Sequence, residues 1–127
     1  MNVKEINIAV CTPLTGRAAV LGKEMEQAVQ IAVAEQDMEG NIRVQLLIYD
    51  DESSVAKASR IAEQIASDNT VFGVVGNYGS DTTLASAKIF ARFDLPMIIP
   101  VASNPMITES GLHNVFRYTN QIGRAHV

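Results

Sequence analysis

The chain has one cysteine, Cys11, so it can form no disulfide within itself. Cys11 closes an apolar run with no His or Asp near it in sequence, the setting of a small core residue and not of an activated thiol. No apolar stretch reaches the roughly 18 residues that a membrane span requires. Met1-Asn2-Val3-Lys4-Glu5 lacks the basic start and apolar core of a signal peptide, which taken alone points to the cytoplasm. The other end argues that the gene is truncated: Ile122-Gly123-Arg124-Ala125-His126-Val127 is the in-frame translation of a common short-read sequencing adapter. Residues 122–127 are therefore expected to be a non-native tail, and Arg124 and His126 to carry no function. Positive charge is scarce as well, with 10 Lys and Arg against 14 Asp and Glu and a net charge of -4. Without a Lys/Arg cluster or a basic aromatic stripe, nucleic acid is excluded as a partner. Internal repeats, low-complexity runs and linkers are missing too.

Nucleotide motifs are also missing. No Gly-x-Gly-x-x-Gly follows a strand pattern. The stretch from Gly16 to Glu24 has five residues between its glycines where a phosphate loop has four, and Glu24 where the magnesium-binding hydroxyl belongs. No cofactor is expected.

What is present is a chain of 127 residues, 47% hydrophobic and 19% charged, enough for one domain with a real core. Glu5 to Thr12 alternates and then runs apolar, a first buried strand stopped by Pro13. From Arg17 to Asp37, Leu21, Met25, Ala28, Val29, Ala32 and Val33 recur at three and four, predicting a long helix with that face buried. Gly40-Asn41 ends it, and Val44 to Tyr49 reads as a second strand running into Asp50-Asp51-Glu52. A second helix follows over Ser54–Ser67, with Asp51 or Ser53 as its cap. Strand three is Val71 to Val75. A third helix opens at Ser80 or Asp81 and buries Leu84, Ala87 and Phe90 or Ala91 before Pro96. Met97-Ile98-Ile99 makes strand four, and Asn114–Tyr118 a fifth. Strands alternating with helices predict an α/β fold, a doubly wound parallel sheet in the order 2-1-3-4-5, with helices one and two on opposite sides or staggered around the switch point between strands one and three.

Two loops then fall at the carboxyl ends of neighbouring strands: Gly76-Asn77-Tyr78-Gly79-Ser80 and Pro100-Val101-Ala102-Ser103-Asn104-Pro105. Ser80 opens a helix, where unpaired amides and the positive dipole end favour a carboxylate, although a plain N-cap accounts for it equally. In the second loop two prolines stiffen the chain and fix the Val101 and Ala102 carbonyls and the Ser103 amide and hydroxyl in space. Asp50-Asp51-Glu52 has the chemistry of a magnesium or phosphoacceptor cluster. The acid after strand three and the Lys after the last strand that a receiver site needs are missing, so these acids are expected to cap helix two and face solvent. His113 has no paired ligand at metal spacing, and neither Ser80 nor Ser103 sits in a Gly-x-Ser-x-Gly elbow.

Pro13-Leu14-Thr15-Gly16 with Gly22, Tyr49-Asp50-Asp51, Val74-Val75-Gly76 with Ser80, and Pro100-Val101-Ala102-Ser103-Asn104-Pro105 follow one another in an order that resembles the first lobe of the branched-chain amino-acid (Leu/Ile/Val) binding proteins. These are type I periplasmic binding proteins that feed ABC transporters. The resemblance covers about residues 5 to 120. It implies that residues 1–121 are the amino-terminal lobe of a two-lobed, non-enzymatic receptor whose second lobe is missing here. It implies further that the hydroxyl of Ser80 and the amide and hydroxyl of Ser103 hold a ligand carboxylate, and that the Val101 carbonyl accepts from its ammonium with Ala102 alongside. Leu21 would wall the pocket and Tyr78 shade it. Some members pair a cysteine after strand two with one before the site serine, where this chain has Glu52 and Gly79.

The expected function is that of a solute-binding lobe for a small amino acid or related carboxylate, delivered to an ABC transporter permease by hinge closure. The parent would be periplasmic, or extracellular and lipid-anchored, without direct membrane insertion. The alternative is a sensing domain of a regulator or signalling receptor for an amide, urea or aromatic acid. A third reading, an enzyme fragment acting through Ser80 or Asp50-Asp51, lacks a nucleotide loop and acid/base partners.

Overall fold

Alternation of strand and helix carries through into three dimensions in a computed structural model, which describes residues 4–100 and 112–117. The order is β1 (Lys4–Thr12), α1 (Ala19–Glu39), β2 (Ile42–Asp50), α2 (Val55–Ala66), β3 (Val71–Gly76), α3 (Ser80–Arg92), β4 (Met97–Ile99) and β5 (Val115–Arg117). The five strands form one sheet in the order β2-β1-β3-β4-β5 with every neighbouring pair parallel. The expected fold class and strand order are therefore what the chain adopts. Tyr118, expected in the last strand, and the loop Val101–Ser103 lie outside the described residues, as do residues 122–127.

Side chains on a strand point alternately to the two faces, and the two faces of this sheet are covered unequally. On one face Ala9, Cys11, Val74, Met97 and Ile99 meet Ile61, Ala62 and Ile65 of α2 and Ala87 and Phe90 of α3, which closes the main core. On the other, Ile8, Val44, Leu46 and Val75 look toward α1 across an apolar groove of about 350 Å³. The buried face expected for α1 is only partly realised. Met25 is buried, but Leu21 is 46% and Ile31 61% exposed, and Ala28 and Ala32 are exposed. The physical reason is positional: α1 packs on β1 and β2, and the stripe that faces away from them toward β3 meets no second helix among the described residues.

Local chemistry sets the element ends. Gly40 closes α1 in the left-handed conformation at φ 108°. Ser54 caps α2, its hydroxyl oxygen accepting the Lys57 N–H at 3.1 Å. At the other end of α1, a Cβ added to Gly22 would stand 1.7 Å from the Pro13 carbonyl oxygen. The absence of a side chain there lets α1 press against the loop leaving β1, where the Thr12 hydroxyl donates to the Gly22 carbonyl at 3.3 Å. Chain direction from β1 turns outward to β2 on one side and, through β3, to β4 and β5 on the other. A crevice therefore opens beyond the carboxyl ends of β1 and β3.

Candidate functional site

At that crevice β3 ends in Gly76, and the chain passes through Asn77-Tyr78-Gly79 into α3. Gly79 is the N-cap, in extended conformation, and no side-chain bond caps the helix. Its carbonyl oxygen accepts the Thr83 hydroxyl at 2.6 Å, the Thr82 hydroxyl at 3.1 Å and the Thr83 N–H at 3.0 Å. Ser80 is thus the first residue inside the helix and is not its cap, and its hydroxyl caps no amide of the helix. The first amides of a helix have no partner within it and carry the positive end of its dipole. A cavity of about 350 Å³ opens in front of them, bordered by Ala18, Asp51, Ser53, Tyr78, Gly79, Ser80, Asp81 and Thr82, so that a carboxylate of the first turn, Asp81, stands on its rim beside the amides.

Ser80 and Tyr78, both named from the sequence, are brought together here. Leu21 is not: it lies on an exposed part of α1, one turn beyond Ala18, and does not border the cavity. Val101, Ala102 and Ser103 lie outside the described residues. Pro100, just before them, follows β4, the strand paired with β3.

The acidic pair at the end of β2 departs from the expectation that it caps α2 and faces solvent. Ser54 does the capping. Asp50 instead reaches across to the loop after β1, accepting the Leu14 N–H at 2.8 Å and the Thr15 hydroxyl at 2.7 Å, and also the Glu52 N–H at 2.9 Å. Partial burial pushes its pKa up, but the hydrogen bonds from Leu14 and Thr15 and the charge of Lys57 outweigh that and hold it below the usual range. Asp51 is fully buried; one oxygen accepts the Ser53 N–H at 2.8 Å and the other the Asn77 side-chain amide at 2.6 Å. Burial, and secondarily the nearby Asp51 carboxylate, push the Cys11 thiol well above its ordinary pKa, so Cys11 is an unreactive core residue as its sequence setting implied.

Asn77 is the residue that sequence reasoning passed over. Thr12 pairs with Asp50 on one side and Cys11 with Gly76 on the other, so the next residues, Asp51 and Asn77, converge. Only the register reveals it. His113 is a surface residue whose Nε2 lies 2.7 Å from the Asp94 carboxylate, and it does not border the cavity at Ser80. Among the residues bordering the cavity there is no His or Lys to activate Ser80. The arrangement can bind a small anionic group with a hydroxyl and free amides.

With that geometry in place, the likenesses to known proteins are specific. The profile of the family described as "Periplasmic binding protein" matches residues 5–125. Leu/Ile/Val-binding protein homolog 1 of Brucella abortus is 30% identical over 116 residues, 89% of this chain and 31% of that protein. A leucine-binding protein from Thermotoga maritima is 30% identical with a TM-score of 0.81, over 88% of this chain and 32% of that one. A branched-chain amino-acid transporter substrate-binding protein of Streptococcus pneumoniae, solved with isoleucine, is 25% identical with a TM-score of 0.84, over 90% of this chain and 33% of that one. The chain thus spans about a third of the length of the relatives it matches.

Proposed function

The chain belongs to the periplasmic binding protein family, in its type I branched-chain amino-acid branch, and on that footing we propose that residues 1–121 are the amino-terminal lobe of a solute receptor that binds a small amino acid or related carboxylate. In the whole protein a second lobe closes over the ligand by hinge motion, and the closed form delivers it to an ABC transporter permease in the periplasm. The lobe is a binding unit and performs no chemistry on its ligand.

One observation carries the reading: Ser80 stands uncapped at the first turn of α3, on a cavity at the carboxyl ends of the strands. A hydroxyl, free amides and a helix dipole in one place complement a carboxylate and need no metal to do so. The names of the relatives, Leu/Ile/Val-binding and leucine-binding, support an aliphatic amino acid as that carboxylate. Ser103, named by resemblance, is the second grip in this proposal, with the Val101 carbonyl toward the ammonium.

The test is calorimetry on the full-length protein with L-leucine, L-isoleucine and L-valine, comparing wild type with Ser80→Ala and Ser103→Ala. Each variant is expected to lose about 1–3 kcal/mol of affinity, the range for a hydrogen bond to a charged group. Ser80→Ala is expected to keep its melting temperature, because Gly79 holds the cap position and no side-chain cap is lost. Unchanged affinity in both variants would remove the serines from the site, and a loss of about 1 kcal/mol in stability alone would make Ser80 a helix-end residue only.

A further inference from the structure

We infer that Asp51 is a positioning residue for the ligand grip: its buried carboxylate clasps Asn77 across the gap between β2 and β3 and thereby sets where α3 begins and where Ser80 points. The inference rests on the proposed role of Ser80 and names the group that holds it in place.

The connection can be followed bond by bond. Asp51, Asn77 and Thr83 are all fully buried. One Asp51 oxygen is fixed by the Ser53 N–H at 2.8 Å, which orients the carboxylate, and the other takes the Asn77 amide at 2.6 Å. The backbone N–H of Asn77 donates to the Thr83 hydroxyl oxygen at 3.1 Å. Thr83 spends its single hydroxyl proton on the Gly79 carbonyl at 2.6 Å. Gly79 is joined to Ser80 by one peptide bond, so a shift of Asn77 moves the residue that faces the cavity. The side-chain oxygen of Asn77 has no partner among the described residues. The orientation of that amide is therefore set by Asp51 and by no competing bond.

Two alternatives fit less well. Direct ligand contact by Asp51 is disfavoured because its side chain, although it borders the cavity, has no exposed area and both its oxygens are engaged. A merely structural tie is disfavoured because β2 and β3 are each already paired along β1, and Asp50 staples the loop after β1 to the end of β2. Burying a carboxylate carries a desolvation penalty, and an apolar pair would hold two strands at least as firmly. What the polar pair adds is direction.

The experiment uses the full-length protein, with L-leucine, L-isoleucine and L-valine as probes. It compares Asp51→Asn, Asn77→Asp and the exchange variant Asp51→Asn/Asn77→Asp, in which the amide at 51 donates to the carboxylate at 77 and still accepts from Ser53. Calorimetric affinity and hydrogen exchange of the ligand-free protein are both read. Each single variant is expected to bind about ten-fold more weakly or worse and to lose protection locally over residues 77–83. The exchange variant is expected to return to within about three-fold of wild type in affinity and to regain that protection. Wild-type affinity in the single variants overturns the inference. So does an exchange variant that regains protection without affinity, since the carboxylate at 51 would then be touching ligand. Should the single variants fail to fold, Thr83→Val breaks the same path with Asp51 intact, and unchanged affinity there overturns it equally. If wild type binds none of the three amino acids, the proposed function is what fails; hydrogen exchange then judges the clasp, local loss and recovery supporting it and uniform loss overturning it.

Discussion

Asp50 shows how much one side chain does when two loops must be held at a fixed separation. It accepts from Leu14 and Thr15 in the loop after β1 and from Glu52 in its own turn, which ties that loop to the end of β2. Its folded pKa lies below the unfolded one, so as pH falls the unfolded chain takes up the proton first. The stabilisation is therefore complete above the unfolded Asp value of about 3.9 and is lost as pH falls through the lower folded value. Asp50→Asn is expected to lower stability by about 1 kcal/mol at neutral pH, at the low end for charged hydrogen bonds because the carboxylate is partly solvated. Urea unfolding of wild type and variant should show the two curves converging as pH is lowered from about 5 toward 3. A difference that stays constant over that range would mean that the charge of Asp50 contributes nothing to the fold. The sequence reads Asp51, its neighbour, best as a cap or a solvent-facing acid, and neither that nor a magnesium or phosphoacceptor cluster predicts a buried side chain. Its burial depends on Asn77, 26 positions away, and the sequence does not state the strand register that joins them.

At the scale of elements, the placing of α1 turns on a missing side chain. Gly22→Ala would put a Cβ 1.7 Å from the Pro13 carbonyl oxygen, a backbone atom that cannot swing aside. Either α1 or the loop after β1 must shift, and overpacking of this kind costs about 1–3 kcal/mol despite the better helix propensity of alanine. A thermal melt of Gly22→Ala that matches or exceeds wild type would show that the helix moves away freely. The order of strands and helices was legible because apolar period and breakers are local signals: Pro13 follows β1, Gly40 follows α1 and Pro96 comes just before β4. The buried face of α1 was less so. Leu21, Ala28 and Ala32 recur at helical spacing, yet burial is decided by what lies alongside, and among the described residues α1 has no helix beside it over β1 and β2 while α2 and α3 share the other face. Of the residues bordering the cavity, Ser80 could be picked out from its place after a buried strand, whereas Tyr78 was named by resemblance. Leu21 was carried over by resemblance; it is exposed on α1 and is not among the residues that border the cavity.

For the whole molecule the decisive quantity is how much of a ligand one lobe can surround. The cavity at Ser80 opens to the outside, and the chain covers about a third of the length of its relatives. In the proposed receptor, affinity arises from contacts to both lobes, and closure is stabilised only when a ligand touches both. A small amino acid resting on Ser80 and the start of α3 would keep most of its surface in water, whereas well-formed sites bury about 70–90% of a ligand. The 127-residue chain alone is therefore expected to bind L-leucine, L-isoleucine or L-valine at least about 100-fold more weakly than the full-length protein, a loss of about 2.7 kcal/mol. Calorimetry of the two proteins side by side measures the difference. Micromolar or tighter binding by the short chain would show that one lobe suffices, and that closure serves recognition by the permease and not affinity for the ligand.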